Sequence, residues 1–211
     1  MTELFLSVGQ FHKIKHMLQK FLNAKKATND KDTLLAVQGI IEDEVKQAMT
    51  HIHSVDNILT ELFHVSDATS AELFLMQLKQ HVSPFPTPEL TDIKKLFKKE
   101  KKLKLPALED VDFKETLYLS WADVGTNKQY IILAKNDEFH PLSGVVDAKH
   151  IKGVCAFCKR HSTTRLFTTK KKVSGDLYVK NSQYICIDST QCNLNLTEID
   201  VLEEWVEKME K

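Results

Sequence analysis

Apolar residues recur every three or four positions through the first eighty residues of the chain. Leu4, Val8, Phe11, Ile14, Leu18, Phe21 and Leu22 form one such stripe and predict a helix over about 4–26. Thr28-Asn29-Asp30-Lys31-Asp32 breaks the pattern and supplies capping oxygens. Leu34, Val37, Ile40, Ile41, Val45 and Met49 predict a second helix, and Gly39 inside it predicts close packing at that point. Val55, Ile58, Leu59, Leu62 and Phe63 mark a third, with Ser66-Asp67 as the cap of the next. Leu73, Leu75, Met76, Leu78 and Val82 complete a fourth stripe. Four amphipathic segments joined by short turns predict a small antiparallel bundle.

Val82-Ser83-Pro84-Phe85-Pro86-Thr87-Pro88 ends the bundle, because alternate prolines exclude a helix interior and push their predecessors toward extended backbone. The domain boundary is placed here, giving a helical domain over 1–83 and a second domain over 84–211. A basic helix is expected from Thr87 or Pro88 to about Lys102, with Leu90, Ile93, Leu96 and Phe97 inward. From about residue 111 the period shifts toward two. Strands are expected over 113–119, 130–134, 142–146, 164–168 and 177–187, with turns at Gly125-Thr126-Asn127 and Asn136-Asp137 and a Lys-rich loop around Gly175. Thr197-Glu198-Ile199-Asp200 reads as a capping box opening a last helix over about 197–210.

Composition adds limits. The 211 residues are 42% hydrophobic and 27% charged, an ordinary globular balance. The start of the chain lacks the pattern of a secretory leader, and no apolar run reaches the ~18 residues of a membrane span. A cytoplasmic monomer is expected. The formal net charge is zero, yet lysines cluster at 94–104, and further basic residues run from Lys149 through Arg165 and Lys170-Lys171-Lys172 to Lys180. Such asymmetry suits an acidic or phosphate-rich partner, or simply a solvated surface.

The chemistry sits in four cysteines. Cys155 and Cys158 are spaced C-x2-C, Cys186 and Cys192 C-x5-C, and the chain has no other cysteine. Two short loops offering two thiolates each match the tetrahedral preference of Zn2+, and four thiolates leave no open position for water or substrate. A knuckle, a hairpin and a turn into a helix over about 150–211 is a treble-clef-like plan. The fold class expected is therefore α+β: a helical bundle, then an α/β domain ending in a four-cysteine zinc finger. Two disulfides, a redox dithiol or buried thiols are the other readings of these residues; disulfides require an oxidising compartment.

Catalytic signatures are missing. No phosphate loop, dinucleotide fingerprint, H-E-x-x-H or G-x-S-x-G occurs, so a non-enzymatic role is expected. His12 and His16, four apart on a helix, read as surface residues, and His161 as a spare beside the first knuckle. Phe157 lies between two ligands in a turn, where a ring is expected to stay exposed. Tyr178, Tyr184 and Trp205 accompany it near lysines, suiting RNA bases, a protein hot spot, or the packing of a small core.

The layout resembles the elongation factor G-binding proteins that confer resistance to fusidic acid. The markers are Pro84-Phe85-Pro86-Thr87-Pro88 before Leu96-Phe97-Lys98-Lys99, the Trp121 region with Asn127-Lys128-Gln129-Tyr130-Ile131-Ile132, Lys152-Gly153-Val154-Cys155-Ala156-Phe157-Cys158, and Tyr184-Ile185-Cys186-Ile187-Asp188-Ser189 through Cys192-Asn193. The resemblance implies a two-domain protein that binds elongation factor G and promotes its release from drug-stalled ribosomes. It implies one structural Zn2+ on Cys155, Cys158, Cys186 and Cys192, and a partner surface including Tyr184, Trp205, Phe157 and Lys180. Where the family pattern has a basic residue close to the tyrosine, this chain reads Asn181-Ser182-Gln183. The alternative function is an RNA- or ribosome-binding zinc-finger protein using the same basic surface; a dithiol oxidoreductase is the third.

Overall fold

The computed structural model describes residues 3–136, 138–198 and 200–210. The chain divides into two compact units, Met1–Ser83 and Pro84–Lys211. Its class is α+β, with seven helices and one five-stranded antiparallel sheet among the described residues.

The first unit contains α1 (Val8–Ala27), α2 (Lys31–Ala48), α3 (Val55–His64) and α4 (Ala68–Lys79). Local chemistry starts the helices. Ser7 and Gln10 form a capping box at α1, and the Asp30 carboxylate accepts from Thr33 N at α2. Asp67 and Ser70 form a second capping box at α4. Phe11, Ile14, Leu18 and Phe21 of the first stripe, Ile41 and Val45 of the second and Leu62 of the third are buried, while Ile40 is exposed. The fourth stripe is corrected: Leu73 and Met76 are exposed, and α4 turns Ala71, Phe74 and Leu78 inward, a face with helical spacing of three and four. The two ends of the unit are tied together. Leu6 bridges Val82, and Ser83 N donates to Leu6 O at 2.8 Å. His12, expected at the surface, is fully buried, because it lies beside Phe11 on the inward face of α1. The expectation of close packing at Gly39 also fails. Gly39 is exposed, and a Cβ there would meet nothing within 4 Å. The outer face of α2 approaches no other backbone at this point, so the glycine serves no close contact.

In the second unit α5 (Leu90–Leu96) is shorter than the basic run predicts and gives way to turns. The sheet order is β1 (Leu119–Asp123), β2 (Lys128–Lys135), β3 (Glu138–Val154), β4 (His161–Ser174) and β5 (Leu177–Cys186), each strand pairing with the next. The segment expected as a strand from Phe113 instead forms a 3-10 turn over Phe113–Glu115, and β1 begins only at Leu119. β2 is buried along most of its length, which explains its continuous apolar sequence. One face, with Leu119, Tyr130 and Ile132, packs against Phe85, Ile93 and Phe97. Pro141 is accommodated inside β3 because β4 pairs with β3 only from Val145 onward; at Pro141 the strand is a local edge. Gly144 permits close approach of β3 and β4: a Cβ there would lie 2.6 Å from Thr168 O and 2.7 Å from the Phe167 ring.

The Lys-rich loop expected around Gly175 is a two-residue turn. Lys170, Lys171 and Lys172 belong to β4, in register with Lys180, Val179 and Tyr178 of β5. Gly175 supplies the left-handed backbone, φ 51°, that the turn requires. After β5 come α6 (Ser189–Asn195) and α7 (Asp200–Glu210). The proposed cap of the last helix involves Ile199, and the second central turn residue expected after Asn136 is Asp137; both lie outside the described residues.

Candidate functional site

The first pair of cysteines sits in a tight turn after β3. Cys155 N donates to Arg160 O at 3.0 Å and Lys159 N to Cys155 O at 3.0 Å, with Lys159 in left-handed backbone at φ 55°. Cys186 ends β5 and Cys192 lies in the first turns of α6. The Asp188 carboxylate caps α6 by accepting from Gln191 N at 2.9 Å. Knuckle, hairpin and helix thus bring together residues that are far apart in the chain. All four Sγ atoms lie within 4.8 Å of one another, and all four cysteines are buried. Cys155 Sγ is 3.8 Å from Cys192 Sγ, and Cys158 Sγ is 3.7 Å from Cys186 Sγ.

These separations test the fit to a metal. Four sulfurs at the usual zinc–thiolate bond length, set tetrahedrally, stand about 3.8 Å apart. None of the four is in a disulfide. Two backbone amides, Phe157 N and Cys186 N, each donate to Cys155 Sγ at 3.3 Å, which is how negative sulfur is stabilised inside a fold. Hydrogen bonds from Cys158, Cys186 and Cys192 hold Cys155 far below the ordinary thiol range. Hydrogen bonding to Cys155 first, then to Cys158, pushes Cys186 and Cys192 far above it. Four thiolates this close repel one another, and a dication is what allows all of them to ionise. The donor set fits Zn2+, with no position left for a substrate. His161 is exposed and stands outside the cluster.

An aromatic stack backs the sulfurs. Phe157 meets Trp205 edge-on at 4.4 Å and Tyr118 edge-on at 5.2 Å, and Trp205 lies 5.7 Å from Phe167. Burial, and next the negative sulfur of Cys192 to which it also hydrogen-bonds, pushes the Tyr118 phenol well above its usual range.

The four residues expected on a partner surface fall into two groups. Phe157 is 1% exposed and Trp205 6%. Both rings are core, and the expectation of an exposed ring at Phe157 is corrected. The turn folds inward because its ring fills the space between Tyr118 and Trp205. Tyr184, by contrast, is 41% exposed, and Lys180 is exposed. In register, Tyr178, Lys180, Ser182 and Tyr184 share one face of β5, with Lys170, Thr168 and Leu166 opposite them on β4. The other face carries Ile185 and Phe167, both buried. The knuckle pins Tyr184 directly, since Ala156 N donates to Tyr184 O at 2.8 Å. Lys170 Nζ sits 4.0 Å over the Tyr178 ring. Sequence reasoning missed Asn193, a buried side chain beside the fourth cysteine; a polar residue next to a ligand at a helix start was the available signal.

Comparison with known proteins gives two findings. Residues 5–86 match the family model described as elongation factor G-binding protein, N-terminal. Over its whole length the chain is similar to the solved structure of the fusidic acid resistance protein FusC. The TM-score is 0.87 and the sequence identity 29%, covering 99% of this chain and 98% of that one. No curated protein sequence matches.

Proposed function

We propose, from the match of residues 5–86 to the elongation factor G-binding N-terminal family model and the likeness to FusC, that this protein belongs to that family, binds elongation factor G, protects it against fusidic acid and promotes its release from the ribosome. The role is non-enzymatic. One Zn2+ on Cys155, Cys158, Cys186 and Cys192 is structural, and it holds the hairpin as a docking face. The observation that carries this reading is the link between knuckle and Tyr184. The ring stands 41% exposed two residues before a cysteine of the cluster, while its carbonyl is held by Ala156 N at 2.8 Å. A strand backbone already fixed before the encounter needs no further ordering when the ring it displays is bound. A protein that binds one conformation of the factor better than another shifts its release without any chemistry.

Co-purification with elongation factor G tests this. Tyr184→Ala is expected to weaken the complex by about 2 kcal/mol or more, the scale of an interface hot spot, with the melting temperature unchanged. Undiminished binding by Tyr184→Ala would remove this face from the interface, and a wild-type chain that ignores the factor would end the reading.

RNA binding is a second reading, favoured by the basic and aromatic face of β4 and β5. Its signature is affinity for free RNA that falls steeply with salt and disappears when Lys170 and Lys180 are neutralised. A flat salt response excludes it.

A further inference from the structure

Asn193 follows Cys192 in α6 and is only 6% exposed. Its Oδ1 accepts from Leu117 N at 2.6 Å and from Tyr118 N at 3.1 Å. Its Nδ2 donates to Tyr118 O at 3.1 Å and to Ser189 O at 3.0 Å. A side-chain amide has two acceptor lone pairs and two donor hydrogens, so its capacity is used in full. Three of the four bonds reach a backbone segment more than seventy residues earlier. That segment is also held by the knuckle, through the Tyr118 ring edge-on to Phe157 at 5.2 Å. Leu117–Tyr118 is thus gripped by both halves of the cysteine cluster: by α6 through Asn193, and by the Cys155–Cys158 turn through Phe157.

We propose that Asn193 is a positioning residue for the metal site: by tying α6 to the Leu117–Tyr118 backbone it fixes Cys192 as the fourth ligand, so that metal release and the opening of that backbone are one event. The inference rests on the zinc reading above. α6 has seven residues, too few to be stable alone. Its placement therefore depends on what it is tied to. Freed from Leu117–Tyr118, the helix can tilt, and the Cys192 sulfur leaves the tetrahedron first. In the other direction, loss of the metal frees the helix, and the amides of Leu117 and Tyr118 lose their buried acceptor. Partners that orient a ligand without touching the metal typically change metal affinity by about 10–100-fold.

The test uses the full chain purified with its zinc. Release into excess chelator is followed with a chromogenic zinc indicator, and amide exchange is followed by mass spectrometry on the peptide containing Leu117 and Tyr118. Asn193→Ala is expected to release zinc about 10–100-fold faster than wild type. Ile132→Val, which weakens the core of β2 at a fully buried position, is expected to release it at the wild-type rate. Should Asn193→Ala fail to fold, the wild type still decides: exchange at Leu117–Tyr118 should rise at the rate at which zinc leaves. Wild-type release kinetics in a folded Asn193→Ala, or Leu117–Tyr118 protection that outlasts the metal, overturns the inference and leaves the zinc reading standing. A wild-type chain that purifies without zinc overturns both.

Discussion

Every helix of the Met1–Ser83 unit contributes apolar side chains to one core, from Phe11 in α1 to Phe74 and Leu78 in α4. The end of the Pro84–Lys211 unit is organised differently. There Phe157, Phe167, Ile185 and Trp205 are buried next to four sulfurs that offer no comparable apolar volume of their own. In the first unit stability is spread over many contacts, each worth a little. The second unit has such a core too, around Phe85, Ile93, Phe97 and Tyr130, but its C-terminal end gathers about the four sulfurs. The difference also shows in the two glycines. Gly39 of α2 has empty space where a side chain would go, whereas Gly144 of β3 lies against Thr168 O and the Phe167 ring. On the zinc reading proposed above, that end presents Tyr184 on a held strand and depends on a single ion.

The largest effect expected is metal removal. Binding at structural zinc sites is worth roughly 10–16 kcal/mol in small modules. Chelation, or Cys155→Ser, should therefore unfold the region around β5, α6 and α7 while the helical signal of the first unit persists. Far-UV circular dichroism with exchange mass spectrometry checks this; simultaneous loss of both units would abolish the contrast. Acid should act in the same direction, because thiolates bind the metal only when deprotonated.

Next come the packed residues. Trp205→Ala should cost about 3–5 kcal/mol by opening a cavity against Phe157 and Phe167. Trp205→Phe should cost far less, since the indole N–H has no hydrogen-bond partner among the described residues. Urea denaturation distinguishes the two, and equal losses would mean that the indole N–H matters. Gly144→Ala should destabilise by about 1–3 kcal/mol, because the 2.6 Å approach to Thr168 O involves backbone, read as a lower thermal midpoint. The smallest effect has the opposite sign. Gly39→Ala should stabilise the first unit by about 0.5–1 kcal/mol, and a loss there would reveal packing that the outer face of α2 does not show.

The bundle was legible because helix periodicity is a local property: Phe11, Ile14, Leu18 and Phe21 declare their face without reference to anything distant. The cysteine pairs were equally legible, since the C-x2-C turn is local and the residue type carries the chemistry. The aromatic residues were not. Phe157, Trp205, Tyr178 and Tyr184 look alike in the chain, yet two are buried and two are exposed. What separates them is which face of β5 meets the core and how deeply the knuckle folds, and both depend on partners elsewhere in the sequence. The same holds for Gly39 and Gly144, whose neighbours, or lack of them, come from other segments.

By itself, then, the sequence determined the α+β class, the four helical segments of the first unit, the four cysteine sulfurs and the family resemblance, all of which rest on short-range spacing or residue chemistry. Only the tertiary structure decided which aromatic rings face outward, that the Lys-rich segment is strand instead of loop, and that Asn193 ties the fourth cysteine to Leu117 and Tyr118. Hydrogen bonds and burial between residues dozens of positions apart are set by the closure of the sheet, and no local pattern encodes that closure.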